Sequence, residues 1–304
     1  MKDIHAMPPA IPRLALGKVG ITGVRKPLVI HRPDRTQTLA ASLEVYVDIP
    51  ESRKGSDLSR NAQILAEAVD STVIQPSPSL EATCVRIAAE LLKRHEYARE
   101  AEVRAEAEYF RQRGISGDRL SLEDYRLFGQ AWASRGNGTP RLRKAIGAEG
   151  VGMTACPCAM ETCRNALAEE FPELREARFD ALPMITHNQR NRSRLTLVLP
   201  EEVEVEADRL LDVIEEAQSS PTYAILKRGD EGTLVLNAHR KPRFVEDVIR
   251  SLLTLAAERF PELPDGVEVF AETQSEESIH KYDVRAEHRA SLGELRAGAR
   301  KGTA

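Results

Sequence analysis

Three short clusters in the second half of the chain carry the residue types that do chemistry. Three of the four cysteines, Cys156, Cys158 and Cys163, fall within TACPCAMETC at Thr154 to Cys163. Pro157 fixes φ between the first two thiols and holds them in a rigid extended or turn geometry. One reading is metal binding or thiol chemistry; the other is a pair of buried cysteines at a strand-to-helix turn. A second cluster, Thr186-His187-Asn188-Gln189-Arg190, is a polar run entering a strand. A core strand rarely begins this way unless its polar groups have partners, although an exposed strand start would look the same. On an ideal strand His187 and Gln189 share one face, with Arg190, Arg192 and Arg194 on the other. The third cluster, Ser275-Glu276-Glu277-Ser278-Ile279-His280, leads an acidic run into a single imidazole, and alone it reads more often as a solvated loop. Carboxylates at Asp230-Glu231 and Glu246-Asp247 stand at two helix starts, where capping alone would explain them. Taken together the clusters offer a thiolate, two imidazoles and a carboxylate, a donor set suited to Zn²⁺ or Fe²⁺. Spacing alone points to a metallohydrolase.

The elements that must position these residues repeat once along the chain. Arg13 to His31 is β-branched with Gly-containing bends, as a strand pair or one long bent strand, and Leu39 to Ile49 alternates. Helical patterns run from about Ser56 to Val69 and Ser79 to Tyr97, followed by strands at Ala101 to Phe110 and Tyr125 to Ser134. The second half follows with a long strand over residues 183–199, a helix over Val205 to Gln218, and a helical tract to Phe260 broken at Lys241-Pro242. A closing strand pair comprises VEVFAETQS and the segment from Ile279 to Arg285. The order β-β-α-α-β-β therefore occurs twice, which predicts an α+β fold of two modules with antiparallel sheets and helices on one face. The join is placed at the Gly-rich stretch Arg135 to Pro140, giving modules 1–138 and 139–304. Cys84, within an apolar helical stretch, is read as core.

Composition narrows the class. The 304 residues are 41% hydrophobic and 30% charged, with a net charge of −4, ordinary for a globular chain with a sizeable core. No basic bias marks nucleic acid as a partner, and no apolar run reaches the roughly 18 residues of a membrane span. Met1 to Pro12 lacks a basic-then-apolar stretch, so a cytoplasmic protein is expected. The cysteine cluster then belongs to a reducing compartment and not to a disulfide framework.

At these same residues the sequence resembles the non-classical GTP cyclohydrolases, the bacterial type IB and archaeal type IV enzymes. The stretches that carry the resemblance are GKVGITGVRKPL, GMTACPCAMET, ITHNQR, SPTYAILKRGDE, AHRKPRFVEDVIR and ESIHKYDVRAEHRASLGELR, in order across nearly the whole chain. TACPCA and the insertion over residues 164–182 look closer to the archaeal branch of methanopterin biosynthesis. The resemblance implies a bimodular tunnelling fold, a homotetramer with active sites between subunits, GTP as substrate, and one divalent metal per subunit. Fe²⁺ is the favoured ion, with Zn²⁺ or Mn²⁺ as alternatives. By motif, Cys156, His187, Glu231 and His280 look like the metal ligands, and Cys158 like a second active-site thiol. Glu246 looks like the guanine anchor, since one carboxylate can accept the N1–H and 2-amino donors together. One departure stands out: many relatives have His-x-His where this chain has His280-Lys281-Tyr282, so later proton transfers would pass to His239 or Cys158.

The implied reaction opens the guanine imidazole ring at C8, releases formate, and closes a 7,8-dihydroneopterin, with the 2′,3′-cyclic phosphate favoured as product. A type IB outcome, 7,8-dihydroneopterin triphosphate, is the alternative. Rival readings are a thiol-based nitrile reductase or pterin synthase relative, and a non-catalytic metal-binding protein of the same fold.

Overall fold

A computed structural model describes residues 5–9, 13–32, 35–114, 120–136, 139–175 and 183–301. The join expected at 138/139 and the end of the 164–182 insertion fall partly outside these described residues. Two strands open the chain, β1 (Leu16–His31) and β2 (Thr36–Ile49), followed by helices α1 (Leu58–Ile74) and α2 (Leu80–Arg94). Strands β3 (Glu100–Arg113), β4 (Ser121–Ser134) and β5 (Arg141–Ala155) lead to α3 (Pro157–Glu170). Then come β6 (Asn188–Pro200), α4 (Ala207–Ala217), the two-residue β7 (Ser220–Pro221), α5 (Arg228–Arg240) and α6 (Val245–Arg259). Strands β8 (Glu268–Glu276) and β9 (Val284–Ser291) and helix α7 (Leu292–Lys301) close it. The strands order as β1-β2-β3-β4-β5-β6-β8-β9, with β7 pairing β5.

The chain divides into two compact units. The first holds Met1–Tyr109, Arg126–Gly147 and Leu197–Val205; the second holds Phe110–Tyr125, Ala148–Thr196 and Glu206–Ala304. In the first unit β2 buries Leu39, Ala41, Leu43, Val45, Val47 and Ile49 in strict alternation, the pattern of a sheet covered on one face. Helix α2 starts at Ser79, whose side chain accepts from the Ala82 amide at 3.1 Å, one of the donors a helix start leaves unpaired. Strand β3 is built of helix-favouring residues, yet Ala101, Val103, Ala105, Ala107 and Tyr109 are buried while Arg104 and Glu108 face out. Small alternating side chains fit a close sheet face, and packing there overrides propensity. The first strand is single and bent: its register against β2 slips twice, and Gly23 takes φ 69°. A Cβ at Gly20 would run into the Val45 carbonyl. Cys84 is wholly buried, as core.

In the second unit α6 packs on α4, β8, β9 and α7. Its core combines Leu210, Leu211 and Ile214 of α4 with Val248, Leu252 and Ala256 of α6. Glu215 is buried here too, held by Tyr125 Oη and Arg113. Burial first, and the Glu215 hydrogen bond second, push the Tyr125 phenol well above its ordinary value.

Two elements differ from the sequence expectation. The strand expected over 183–199 begins at Asn188, and residues 183–187 before it carry no regular secondary structure. The last strand starts at Val284, so Ile279 to Asp283 is the loop before β9. Strand β5 carries no expectation, since residues 144–150 are buried without interruption and no alternation marks them. The strand-to-helix turn offered as the alternative for the cysteine pair is present where β5 passes into α3, although Cys158 there is exposed.

Candidate active site

Cys156, the approach to β6 at His187 and the start of α6 meet at one end of β5, and backbone hydrogen bonds show how. Cys156 leaves β5 and becomes the N-cap of α3, with Pro157 at the first helical position where its missing N–H costs nothing. Its Sγ accepts from the Ala159 amide at 3.4 Å, so the thiol sits at a helix N-terminus. The Cys156 amide donates to the His187 carbonyl at 3.3 Å, which joins the end of β5 to the start of β6. One residue earlier, the Ala155 carbonyl accepts from Arg243 at 3.0 Å, which brings the start of α6 to the same place.

His187 is half-buried, and its Nδ1 lies 3.3 Å from Ser278 Oγ in the loop after β8. That loop carries His280, exposed and stacked on Tyr282 with centroids 4.9 Å apart and planes 7° from parallel. Cys158 is exposed in the first turn of α3. His239, near the end of α5, is buried: its Nδ1 lies 2.7 Å from the Val235 carbonyl and its Nε2 3.1 Å from the Thr186 carbonyl. The imidazole therefore grips the residue before His187.

Each acidic pair at a helix start divides its work. In α5 the Lys227 amide donates to Asp230 at 3.1 Å, and in α6 the Phe244 amide donates to Asp247 at 3.1 Å. Capping thus occupies Asp230 and Asp247. Glu231 and Glu246 are left exposed, and neither carboxylate bonds a described residue. Glu246 follows Arg243 by one turn, on the helix start whose Arg243 amide is bonded to Ala155. Glu231 precedes His239 by eight residues, about 12 Å along the helix at ~1.5 Å each, and so lies toward the other end of α5. Among the described residues no three His, Cys, Asp or Glu side chains converge on a point that could hold a metal ion. The donor types suit a divalent ion; within one chain the four expected ligands do not close around one.

The face alternation expected for β6 is present, with Gln189 buried and Arg190 exposed. Below Gln189 the structure adds residues the motifs did not single out. Asn191, Ser193, Gln218 and Thr273 form a buried polar circuit, with Asn191 Nδ2 2.8 Å from Gln218 Oε1 and 2.6 Å from Thr273 Oγ1. Their signal in the sequence is polar residues at alternate, core-facing positions of a strand that continues with Leu195, Leu197 and Leu199.

Comparison with known proteins places the chain. Residues 1–286 match the family described as Type I GTP cyclohydrolase folE2. The chain is 38% identical over 307 residues to GTP cyclohydrolase MptA of Methanosarcina mazei, covering 97% of this chain and 96% of the relative. It is 38% identical over 295 residues to the MptA of Methanothermobacter thermautotrophicus, covering 95% and 92%. Among solved structures, uricase from Arthrobacter globiformis superposes with a TM-score of 0.52 at 9% identity, covering 91% of this chain and 94% of that one. A uricase from Bacillus fastidious gives 0.51 at 10% identity, covering 92% and 95%. At such low identity these two likenesses speak for the fold alone, the tunnelling fold of uricases.

Proposed function

This chain belongs to the Type I GTP cyclohydrolase folE2 family, and from that premise we propose a metal-dependent GTP cyclohydrolase that opens the guanine ring at C8. It is a hydrolase acting on GTP, of the pterin-forming kind. Formate release and a 7,8-dihydroneopterin 2′,3′-cyclic phosphate product complete the proposal, with the triphosphate as the alternative. The observation that carries the reading is the junction where Cys156, His187 and the start of α6 meet through two backbone hydrogen bonds.

Cys156, His187, His280 and Glu231 would hold the ion, Fe²⁺ by preference. When bound, a divalent ion supplies the Lewis acidity that activates water at neutral pH. Glu246, free of capping work, accepts the guanine N1–H and an amino hydrogen. His239 holds Thr186 and so sets the approach to His187. Cys158, exposed beside Cys156, is the group placed to exchange protons with substrate in the steps after ring opening.

Glu231 stands apart from the other three ligands, and Ile185, Phe244 and Ile279 are large apolar side chains left exposed near them. Both features support a site completed by a second copy within a homotetramer. The test is anaerobic incubation of metal-reconstituted protein with GTP, followed by mass identification of pterin and assay of formate. Metal-loaded protein that leaves GTP intact would sink the proposal.

A further inference from the structure

The first stretch of β6 carries polar side chains on the face its later residues fill with leucine. Gln189 is 8% exposed there, and Asn191 and Ser193 are wholly buried. The deeper members satisfy one another. Asn191 Nδ2 donates to Gln218 Oε1 and Thr273 Oγ1, Gln218 Nε2 donates to Ser193 Oγ at 2.7 Å, and the Ser193 and Thr273 hydroxyls lie 2.7 Å apart. That circuit spends its own donors. Gln189 Oε1 is buried with no hydrogen-bond partner, and its neighbour along the stripe, Asn191 Oδ1, is another unpartnered acceptor with nothing to donate.

A buried amide oxygen lacking a donor is an uncommon feature that asks for a reason. Gln189 lies one alternation past His187, about 6–7 Å along the strand. The same end of β5 binds both strand and helix, Cys156 to His187 and Ala155 to Arg243, so the strand start that carries Gln189 and the helix start that carries Glu246 meet at that end. Guanine presents three N–H hydrogens on one edge: N1–H and two on the 2-amino group. A carboxylate accepts two of them in parallel, and the outer amino hydrogen needs a further acceptor once the base is buried.

We propose that Gln189 is a specificity-determining residue of this site, its Oε1 accepting the outer hydrogen of the guanine 2-amino group beside Glu246. The assignment rests on Glu246 as the guanine anchor. Its consequence is selection for purine nucleotides that carry a 2-amino group over those that lack it.

The test compares kcat/KM for GTP and for inosine triphosphate, which lacks the 2-amino group, in the metal-loaded full chain, with competitive Ki where inosine triphosphate is not turned over. Gln189→Met keeps the volume and removes the carbonyl. It should lower kcat/KM for GTP about tenfold and leave the inosine nucleotide within about twofold. The ratio is read on one preparation, so partial misfolding cancels. An unchanged ratio overturns the proposal, whether both nucleotides suffer equally or neither does. Glu246→Gln separates the two assignments: both nucleotides keep N1–H, so both should weaken. If neither does, the anchor reading fails, while the Gln189 ratio still decides its own case.

Discussion

Replacing Asn191 by alanine removes the centre of the polar circuit beneath the site. Asn191 is wholly buried, and its Nδ2 is the donor to Gln218 Oε1 and Thr273 Oγ1. Gln218 Oε1 has no other bond among the described residues, so its desolvation would go uncompensated, at about 1–3 kcal/mol. The missing carboxamide leaves a void of roughly 40 Å³, worth about 1 kcal/mol at ~24 cal/mol per Å³. Against this, Asn191 Oδ1 is itself an unpartnered acceptor, and deleting it returns about 1 kcal/mol. The net expectation is a loss of about 1–3 kcal/mol, or roughly 2–12 °C in melting temperature for a chain of this size. Urea unfolding followed by circular dichroism, with metal held constant, measures it. Asn191→Leu fills the void and isolates the hydrogen-bond part. A shift within about 0.5 kcal/mol for the alanine variant would refute the reasoning, because the circuit would then be incidental to the fold.

Alanine at Cys156, His187, Glu231 or His280 should each remove most bound metal while leaving the fold in place, since a four-ligand site that loses one ligand loses much of its affinity; near-stoichiometric metal in a purified variant excludes that residue as a ligand. Burial, reinforced by the Arg60 charge, holds the His95 imidazole below its ordinary value, where it bonds Asn61 Oδ1 at 2.6 Å and Tyr97 Oη at 3.1 Å. A depressed folded-state value means the stability is present above about pH 6.5 and is lost as pH falls through the folded value. Unfolding free energy measured from pH 8 to 5 should therefore drop less in His95→Gln than in the parent, and equal slopes would count against it. Tyr282→His should speed the steps after ring opening with little change in metal content, because an imidazole exchanges protons near neutrality where a phenol does not. Identical rates and no ring-opened intermediate in either protein would make Tyr282 a bystander.

Alternation and breakers made much of this fold legible. β2 and β3 follow their period-two pattern, α2 begins at its Ser79 cap, and the break at Lys241-Pro242 falls between α5 and α6. Strand β5 was opaque because its middle is buried on both faces, which erases alternation. For helix α3 only the strand-to-helix turn was legible and not the extent: TACPCAMETC draws attention as a donor cluster, although Cys156 before Pro157 is also a helix start. At the site, residue types could name candidate donors but not their convergence. Which acid of a pair caps its helix, and which is left for chemistry, depends on backbone hydrogen bonds that no motif states.

The two halves of the chain answer why the chemistry sits in the second. Glu81 and Glu246 occupy the same position, two residues past the N-caps Ser79 and Phe244 of matching helices. Glu81 is 1% exposed, and burial raises its carboxyl above the ordinary range. Gly129 closes over it, since a Cβ there would lie 3.0 Å from the Glu81 amide and from Leu80. Glu246 is exposed and unpartnered, its capping duty taken by Asp247. The strands below diverge in the same sense. β2 buries Leu43, Val45 and Val47, whereas β6 buries Gln189, Asn191 and Ser193 before it turns to leucine. Burying polar groups costs free energy that only partners offset, and apolar packing would serve the fold equally well. One half has sealed its helix-start carboxylate and filled its strand with aliphatic residues; the other keeps the carboxylate open above a polar floor. Stability alone gives no reason for that asymmetry, whereas the proposed purine site would.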